Sequence, residues 1–200
     1  MPLSPASIVS HTRLRWLVVA LVAVLVGGVV RVGAQDVTEV RLKGAFIFNF
    51  ARFTDWPADA LTSATVSACV IGDRTISDAL LRAVSGQKLN GRSVLVSYVD
   101  PAGPIPACHL LYVSGVDRAR LAEIVLRLRE TPVLTVSDND AFLKAGGIVQ
   151  IFIESGKMRF RINPRSARRA RLQLSSRLLA LADLVDVESP PFAGPGAPAR

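Results

Sequence analysis

The sequence predicts an α/β fold: a single three-layer domain with a mostly parallel central sheet flanked by helices, a C-terminal β-hairpin and a final helix. Short apolar runs that are rich in β-branched residues alternate along the chain with segments of helical periodicity. The central runs are apolar almost throughout, which indicates strands that are buried on both faces. The last two runs are separated only by Glu154-Ser155-Gly156, which predicts a hairpin and therefore an antiparallel edge.

Residues 1–34 have the pattern of an export signal. Two arginines precede an unbroken apolar run at 16–30, and small residues then lead to Ala34, after which we expect cleavage. The alternative is an uncleaved signal anchor, although the run is shorter than the roughly 20 residues that span a bilayer. Removing residues 1–34 takes away three arginines and no acidic residue, so the net charge falls from +8 to +5. An exported protein rarely meets DNA, so we expect no nucleic-acid partner.

The predicted domain occupies residues 35–188 and begins with a helix. This helix runs from Val37 to about Trp56, with Asp36 as its N-cap and Pro57 as its stop. Short apolar runs predict the next strands, and apolar residues at helical spacing predict the helices between them. The strands are predicted at 66–72, 90–99, 108–114 and 132–137, the helices at 73–86 and 117–130, and a short helix or turn at 138–145.

The C-terminal part of the domain is predicted to hold the hairpin and one long helix. The hairpin strands are 146–153 and 157–163, and the final helix starts at Pro164 and continues to about Val187. Residues 189–200 form a Pro/Gly/Ala tail with little to bury, so we predict that they are disordered.

The meaning of the two cysteines, Cys69 and Cys108, depends on the compartment. In an oxidising compartment an even pair is typical of a disulfide, and two buried thiols are the alternative. The spacing is far from the CxxC that is typical of metal and redox sites. A bridge would close a loop of about 39 residues, and it would stabilise the fold by roughly 3–4 kcal/mol in the chain-entropy model.

Residues that could carry catalysis are scarce. After the export signal the one histidine is His109, which lies inside a strand pattern and is interpreted as structural. The common nucleophile, metalloprotease and nucleotide-binding motifs do not occur. Asp138, Asn139 and Asp140 resemble part of a calcium loop, but the loop's glycine and distal glutamate are missing, which favours a turn or a helix cap. We therefore expect no enzyme activity, no metal and no cofactor.

Arginines are concentrated near the C-terminal end of the domain. Arg159 and Arg161 share one face of a strand, while Arg168 and Arg169 lie on the first turns of the predicted final helix. Two interpretations stay open: a solvated basic surface, or a patch of these four arginines that binds an acidic partner, a lipid headgroup or an anionic ligand. The whole run comprises Arg159, Arg161, Arg165, Arg168, Arg169, Arg171 and Arg177.

The first helix carries the segment KGAFIFNFARFTDWP at 43–57 and is not cleanly amphipathic. At 100° per residue its phenylalanines 46, 50 and 53 cluster on an apolar side, with Lys43 inside that side and Asn49 at its border. For both we expect local roles, with the lysine methylenes along the aromatic rings and the amide bonded to backbone; the alternative is contact with a partner or a second subunit. Phe48 and Arg52 fall on the charged side, where we expect them to contact a partner. The charged residues exclude a bilayer span.

The same segment resembles the N-terminal signature of the YfiR family, in which Lys43, Asn49, Trp56 and Pro57 have counterparts. Gly44 and Phe48 stand where the family usually has alanine and tyrosine. The resemblance covers residues 36–187, nearly the whole predicted domain. Further blocks match in order: CVIGD at 69–73, GQKLNGRSV at 86–94, ACHLLYVS at 107–114, PVLTVSD at 132–138, GGIVQIFIESGKMRFRIN at 146–163 and LQLSSRLLALA at 172–182.

This resemblance implies a non-enzymatic periplasmic regulator that binds the periplasmic sensor domain of an inner-membrane signalling protein. The implied partner is a diguanylate cyclase that it represses, so that cyclic-di-GMP production falls, or a sensor kinase. The resemblance also implies a homodimer, and it aligns Cys69 and Cys108 with a disulfide-forming pair. The family's second cysteine pair has no counterpart here: Gly147 and Glu154 lie in its segment. We therefore expect no redox control through that pair. The alternative function is a periplasmic module that binds a small anionic ligand and tunes a sensor kinase.

Overall fold

A computed structural model describes residues 32–187, with side chains placed from residue 37 onward. The predicted tail at 189–200 lies outside the described residues, as does the predicted export signal apart from its last three residues. Over the described range, no helix combines the length and the apolar character that crossing a membrane would require.

The main sheet has eight strands in the order β10-β8-β7-β6-β5-β2-β4-β3. These strands are β2 (Thr65–Ile71), β3 (Lys88–Leu89), β4 (Arg92–Val99), β5 (Leu110–Val113), β6 (Leu134–Ser137), β7 (Val149–Glu154), β8 (Lys157–Ile162) and β10 (Asp183–Leu184). Two short strands, β1 (Thr54–Asp55) and β9 (Gln173–Leu174), pair antiparallel with each other. The helices are α1 (Val32–Arg52), α2 (Arg74–Val84), α3 (Arg118–Leu128), α4 (Phe142–Ala145), α5 (Pro164–Arg169) and α6 (Ser176–Ala180).

The five central strands β4, β2, β5, β6 and β7 are parallel to one another, while β3 pairs antiparallel with β4 and β8 pairs antiparallel with β7. Their spatial order is the one found in flavodoxin-like doubly wound sheets, where the chain moves first to one side of the first strand and then to the other. This arrangement confirms the predicted α/β class, the mostly parallel sheet and the hairpin.

Two hydrophobic clusters cover the two faces of the sheet. On one face, called the α1 face, helices α1 and α2 pack over Val66, Ala68, Tyr112 and Val136. On the other face, called the α3 face, helices α3 and α4 pack over alternate residues of the same strands, such as Leu111. Because both faces are covered, the central strands are apolar at almost every position, which is the pattern that predicted them.

Capping residues explain where the two central helices begin. Asp73 accepts a hydrogen bond from the Thr75 amide at 2.8 Å, and Asp117 accepts one from the Arg120 amide at 2.8 Å. Each carboxylate thus satisfies an amide that has no partner inside its helix. Both caps lie within four residues of the end of a strand, so the chain turns into a helix at the carboxyl edge of the sheet.

Three predicted boundaries are wrong at the amino-terminal side. The described part of α1 begins at Val32, so Asp36 lies inside the helix and does not cap it. The helix ends at Arg52 rather than near Trp56, because Thr54 and Asp55 pair with β9. The strand predicted at 90–99 is preceded by a hairpin: Asn90 and Gly91 have φ of 49° and 78°, as in a type I′ turn, and they join β3 to β4.

The long final helix predicted from Pro164 to Val187 is also wrong, since the segment is divided into α5, β9, α6 and β10. Helix α5 ends because Arg171 adopts a left-handed conformation with φ of 58°. The Leu172 amide then bonds back to the Ala167 carbonyl at 2.9 Å, which closes the helix end. Ser175 caps the next helix by accepting from the Leu178 amide at 3.3 Å. Apolar spacing alone did not reveal this break.

Candidate functional site

The most distinctive surface feature is an apolar groove between α1 and α6 on the α1 face. It encloses about 250 Å³. We call it the α1 groove, and it is lined by Phe46, Asn49, Phe50, Phe53, Phe160, Arg177, Leu178 and Leu181. Its charged group is the Arg177 guanidinium and its amide is that of Asn49, so its chemistry suits an apolar segment that also carries an acidic or hydrogen-bonding group.

The floor of the α1 groove is a cluster of three aromatic rings. The ring centroids of Phe50 and Phe160 lie 5.0 Å apart, and the Phe46 ring lies 5.9 Å from the first and 6.1 Å from the second. All three pairs meet edge to face, which is the favoured geometry for aromatic pairs. Phe50 and Phe160 are buried, so the floor is part of the packed core and does not depend on a partner.

The rim of the groove leaves large apolar side chains in water. Phe53 is 38% exposed and Leu181 is 76% exposed, and Asn49 and Arg177 beside them are exposed as well. A single exposed leucine is ordinary on a protein surface. An apolar hollow with an apolar rim is less so, and such surfaces are typical of protein or ligand binding sites.

Local sequence explains how the groove is assembled. Asn49 and Phe50 lie three and four residues after Phe46, and Phe53 lies four and three residues after that pair, so the four side chains form one stripe along α1 and the turn that follows it. Phe160 reaches the stripe because it alternates toward the α1 face of β8. Leu181 directly follows α6, so the opposite wall exists only because the segment after Pro164 is broken.

Lys43 lies about midway along α1, one turn before Phe46, over the carboxyl edge of the sheet. Its Nζ is 2.9 Å from Oδ2 of Asp138, and its side chain is only 14% exposed. The Tyr112 hydroxyl is buried beneath this pair; burial raises the pKa of Tyr112, and the nearby Asp138 carboxylate raises it further. The lysine therefore has a local ionic partner, which the sequence did not suggest.

Trp56 ties the segment after α1 to the amino edge of the sheet. Its Nε1–H donates to the His109 carbonyl at 3.2 Å. The His109 ring accepts from the Ser67 amide at Nδ1, at 3.0 Å, so its Nε2–H is the proton that faces the Ala60 carbonyl at 3.0 Å. Each ring nitrogen is occupied by backbone, which is the structural role expected of this histidine. Pro57 follows the tryptophan and is half-buried.

Phe48 is placed differently from the expectation. It was expected on an exposed side with Arg52, but it is 6% exposed and packs in the core of the α1 face. The error arises because α1 is covered over a wider arc than a single stripe. Arg52 is exposed, and its guanidinium carbon lies 6.0 Å from the Phe48 ring centroid. Asn49, which was predicted at the border of the apolar side, is exposed.

The arginines do not come together in one patch. Arg159 and Arg161 lie on the α3 face of β8, opposite the α1 groove: Arg159 pairs with Glu154 at 3.0 Å, and the Arg161 guanidinium carbon lies 3.9 Å from the Phe152 ring centroid. Arg168, on α5, lines a separate hollow of about 210 Å³. The fold divides the rest of the run as well, with Arg169 on α5, Arg165 beside Asp186, Arg171 beside Asp59, and Arg177 at the α1 groove.

Sequence reasoning missed the α1 groove itself. The phenylalanine stripe was noticed, but it was interpreted as buried core, because a periodic apolar stripe does not show which part of it will be covered. The sequence pattern predicts one long helix that would contain Leu181 and Arg177. The break between them and α5 is at Arg171, whose left-handed backbone conformation is not predicted by its residue type. The second wall of the groove was therefore not visible in the sequence.

The disulfide prediction is confirmed. Cys69 and Cys108 are bonded, with their Cα atoms 6.0 Å apart. Cys69 belongs to the cluster on the α3 face, and Cys108 packs against it. The bridge joins β2 to the Pro/Gly loop that leads into β5.

A comparison with family models matches most of the described domain. The model described as YfiR/HmsC-like matches residues 40–183, which include the segment from Lys43 to Pro57, both cysteines and the whole lining of the α1 groove. The match covers well over half of the chain. The chain therefore belongs to the YfiR/HmsC-like family.

Proposed function

We propose that this protein is a non-enzymatic periplasmic regulator that binds the periplasmic sensor domain of an inner-membrane diguanylate cyclase and represses it. The YfiR-like family is known for periplasmic regulators of such cyclases, and it is regulatory rather than catalytic. The observation in this chain that supports binding is the α1 groove, a preformed apolar hollow with exposed Phe53 and Leu181 at its rim.

The chemistry of the groove defines the partner segment. A packed aromatic floor favours one or two large apolar side chains, because they displace water from a hollow that already exists. Arg177 at the rim favours an acidic residue next to those anchors, and Asn49 favours a backbone or side-chain hydrogen bond. An amphipathic helix or an extended juxtamembrane segment of the sensor domain offers this combination.

A sensor kinase is the first alternative partner. The groove would bind the periplasmic sensor domain of the partner, so it does not distinguish whether the output domain of that partner is a cyclase or a kinase. A homodimer is the second element of the proposal, and it does not depend on the identity of the partner.

A small anionic ligand is a separate candidate function. It is supported by Arg168, whose side chain lines a hollow with Pro164 and Leu179.

The test of partner binding compares groove variants with a matched surface variant. Phe53→Glu and Leu181→Glu place a charge in the rim, and Leu126→Glu, at a 46% exposed leucine of α3, is the control on the other face. Buried apolar anchors in interfaces often contribute 2 kcal/mol or more, so we expect the groove variants to lose about 30-fold in affinity and the control to lose almost none. The tagged chain should retain a diguanylate cyclase from membranes, and the groove variants should release it and raise cellular cyclic-di-GMP.

Two results would decide against the proposal. If the groove variants and the control retain the cyclase equally well, the groove is not the binding surface. If no cyclase or kinase is retained but a small anion raises the melting temperature, and Arg168→Ala removes that rise, the ligand-binding candidate takes its place.

A further inference from the structure

The outer edge of β4 lacks the features that normally protect an exposed strand. From Ser93 to Val99 the strand reads SVLVSYV, with no proline and no charged residue. Its outer neighbour β3 is two residues long and pairs only with Arg92 and Ser93. Natural proteins usually cover, charge or shorten such an edge, because it is a template for pairing with another chain.

The strand pairing shows which backbone groups are open. The Ser93 amide donates to the Ala64 carbonyl of the neighbouring chain segment at 3.3 Å, so the backbone groups of odd-numbered residues in β4 point inward. Those of Val96 and Tyr98 therefore point outward. Within residues 32–187, no strand pairs with β4 on that side beyond Ser93.

We propose that this edge is the homodimer interface, in which β4 pairs antiparallel with β4 of a second copy and the two sheets become continuous. The inference rests on the homodimer element of the proposed function, but not on partner binding. The open window runs from Leu95 to Val99, between β3 at one end and Pro101 at the other, and it is symmetric about Ser97. A two-fold axis beside Ser97 places Val96 opposite Tyr98 of the second copy, which gives four backbone hydrogen bonds.

Side chains fit a second copy in this register. Leu95, which is 57% exposed on the α3 face, lies opposite Val99 of the second copy, and the symmetry repeats the contact. The window from Leu95 to Val99 therefore pairs with itself when it runs in the opposite direction. A second copy of this chain supplies that match, and a peptide of unrelated sequence would not.

The main test measures the mass of the purified chain by light scattering over a range of concentrations. We expect a dimer for the unmodified protein. Val96→Pro removes a backbone amide that points outward and has no partner strand within a single copy. Leu95→Lys places a charge opposite Val99 of the second copy. Each should weaken the dimer at least about tenfold, whereas Leu126→Lys on α3 should leave it unchanged.

A crosslinking measurement keeps the test valid if the proline variant does not fold. A photo-crosslinking amino acid at Leu95 should join two copies near Val99, and the same group at Leu126 should not. A chain that is monomeric throughout would overturn the homodimer itself. A dimer that survives Leu95→Lys and gives no crosslink from position 95 would overturn only this interface.

Discussion

The histidine at the amino edge of the sheet offers a quantitative test of the structural reasoning. In His109→Ala the Ser67 amide loses its acceptor and the Ala60 carbonyl loses its donor, from distances of 3.0 Å each. Leaving a buried polar group unpaired costs about 1–3 kcal/mol. His109 is half-buried, so water can reach part of the site, and we expect a total loss of about 2–3 kcal/mol of unfolding free energy.

A second variant separates the two hydrogen bonds. His109→Asn places an amide oxygen near the position of Nδ1, so it preserves the acceptor for Ser67 and removes only the contact with Ala60. We therefore expect about half the loss seen for alanine. Urea unfolding without reductant measures both values, because the disulfide then stays intact and the denatured states are comparable.

The outcome that would refute this account is specific. If His109→Ala unfolds at the same urea concentration as the unmodified chain, the two backbone bonds do not contribute to stability. If His109→Asn is as unstable as His109→Ala, the assigned proton on Nε2 is wrong. In either case, binding of the partner per folded molecule should be unchanged, since the α1 groove does not include this residue.

Three other predictions follow from contacts of single residues. Lys43→Met should destabilise the fold by about 1–2 kcal/mol, and it should add less than that to Asp138→Asn in a double-mutant cycle, because one ion pair accounts for both losses. Gly44→Ala should destabilise, although helix propensity alone favours alanine by about 1 kcal/mol. Its Cβ would come within 2.7 Å of the Ala79 carbonyl carbon, and a melting temperature at or above that of the unmodified chain would contradict this. Reduction should cost roughly 3–4 kcal/mol, and thiol titration of the native oxidised chain should find no free thiol.

The sequence predicted the parallel sheet well because its signal is redundant. Each central strand is apolar on both faces, so β5 and β6 were located from their own composition without knowledge of their neighbours. Turn chemistry was less complete: Asn90-Gly91 was identified but was placed at the start of a strand. Its hairpin requires the two residues of β3, whose exposed Lys88 carries no apolar signal.

The site was harder to predict because its parts depend on tertiary structure. Phe48 lies in α1 and Phe53 directly follows it, and the two have the same chemistry. The first is buried and the second is 38% exposed, because different groups pack against each one. The seven arginines formed a cluster in sequence only. Strand alternation places Arg161 on the α3 face of the sheet. The end of α5 allows the chain to bring Arg177 to the α1 face.

Helix α1 is held near its middle, and the segment that follows it is held as well, and this has a consequence for regulation. Lys43 pairs with Asp138 near the carboxyl edge, Gly44 lies against Ala79, and Trp56 bonds to His109 at the amino edge. A groove built on a helix anchored in this way should bind without a large rearrangement. The disulfide lies on the opposite face of the sheet, in the cluster around Leu111. We therefore expect reduction to act on this protein by lowering the folded fraction, and not by reshaping the groove: the affinity of the molecules that remain folded should stay the same, while the amount of retained partner falls.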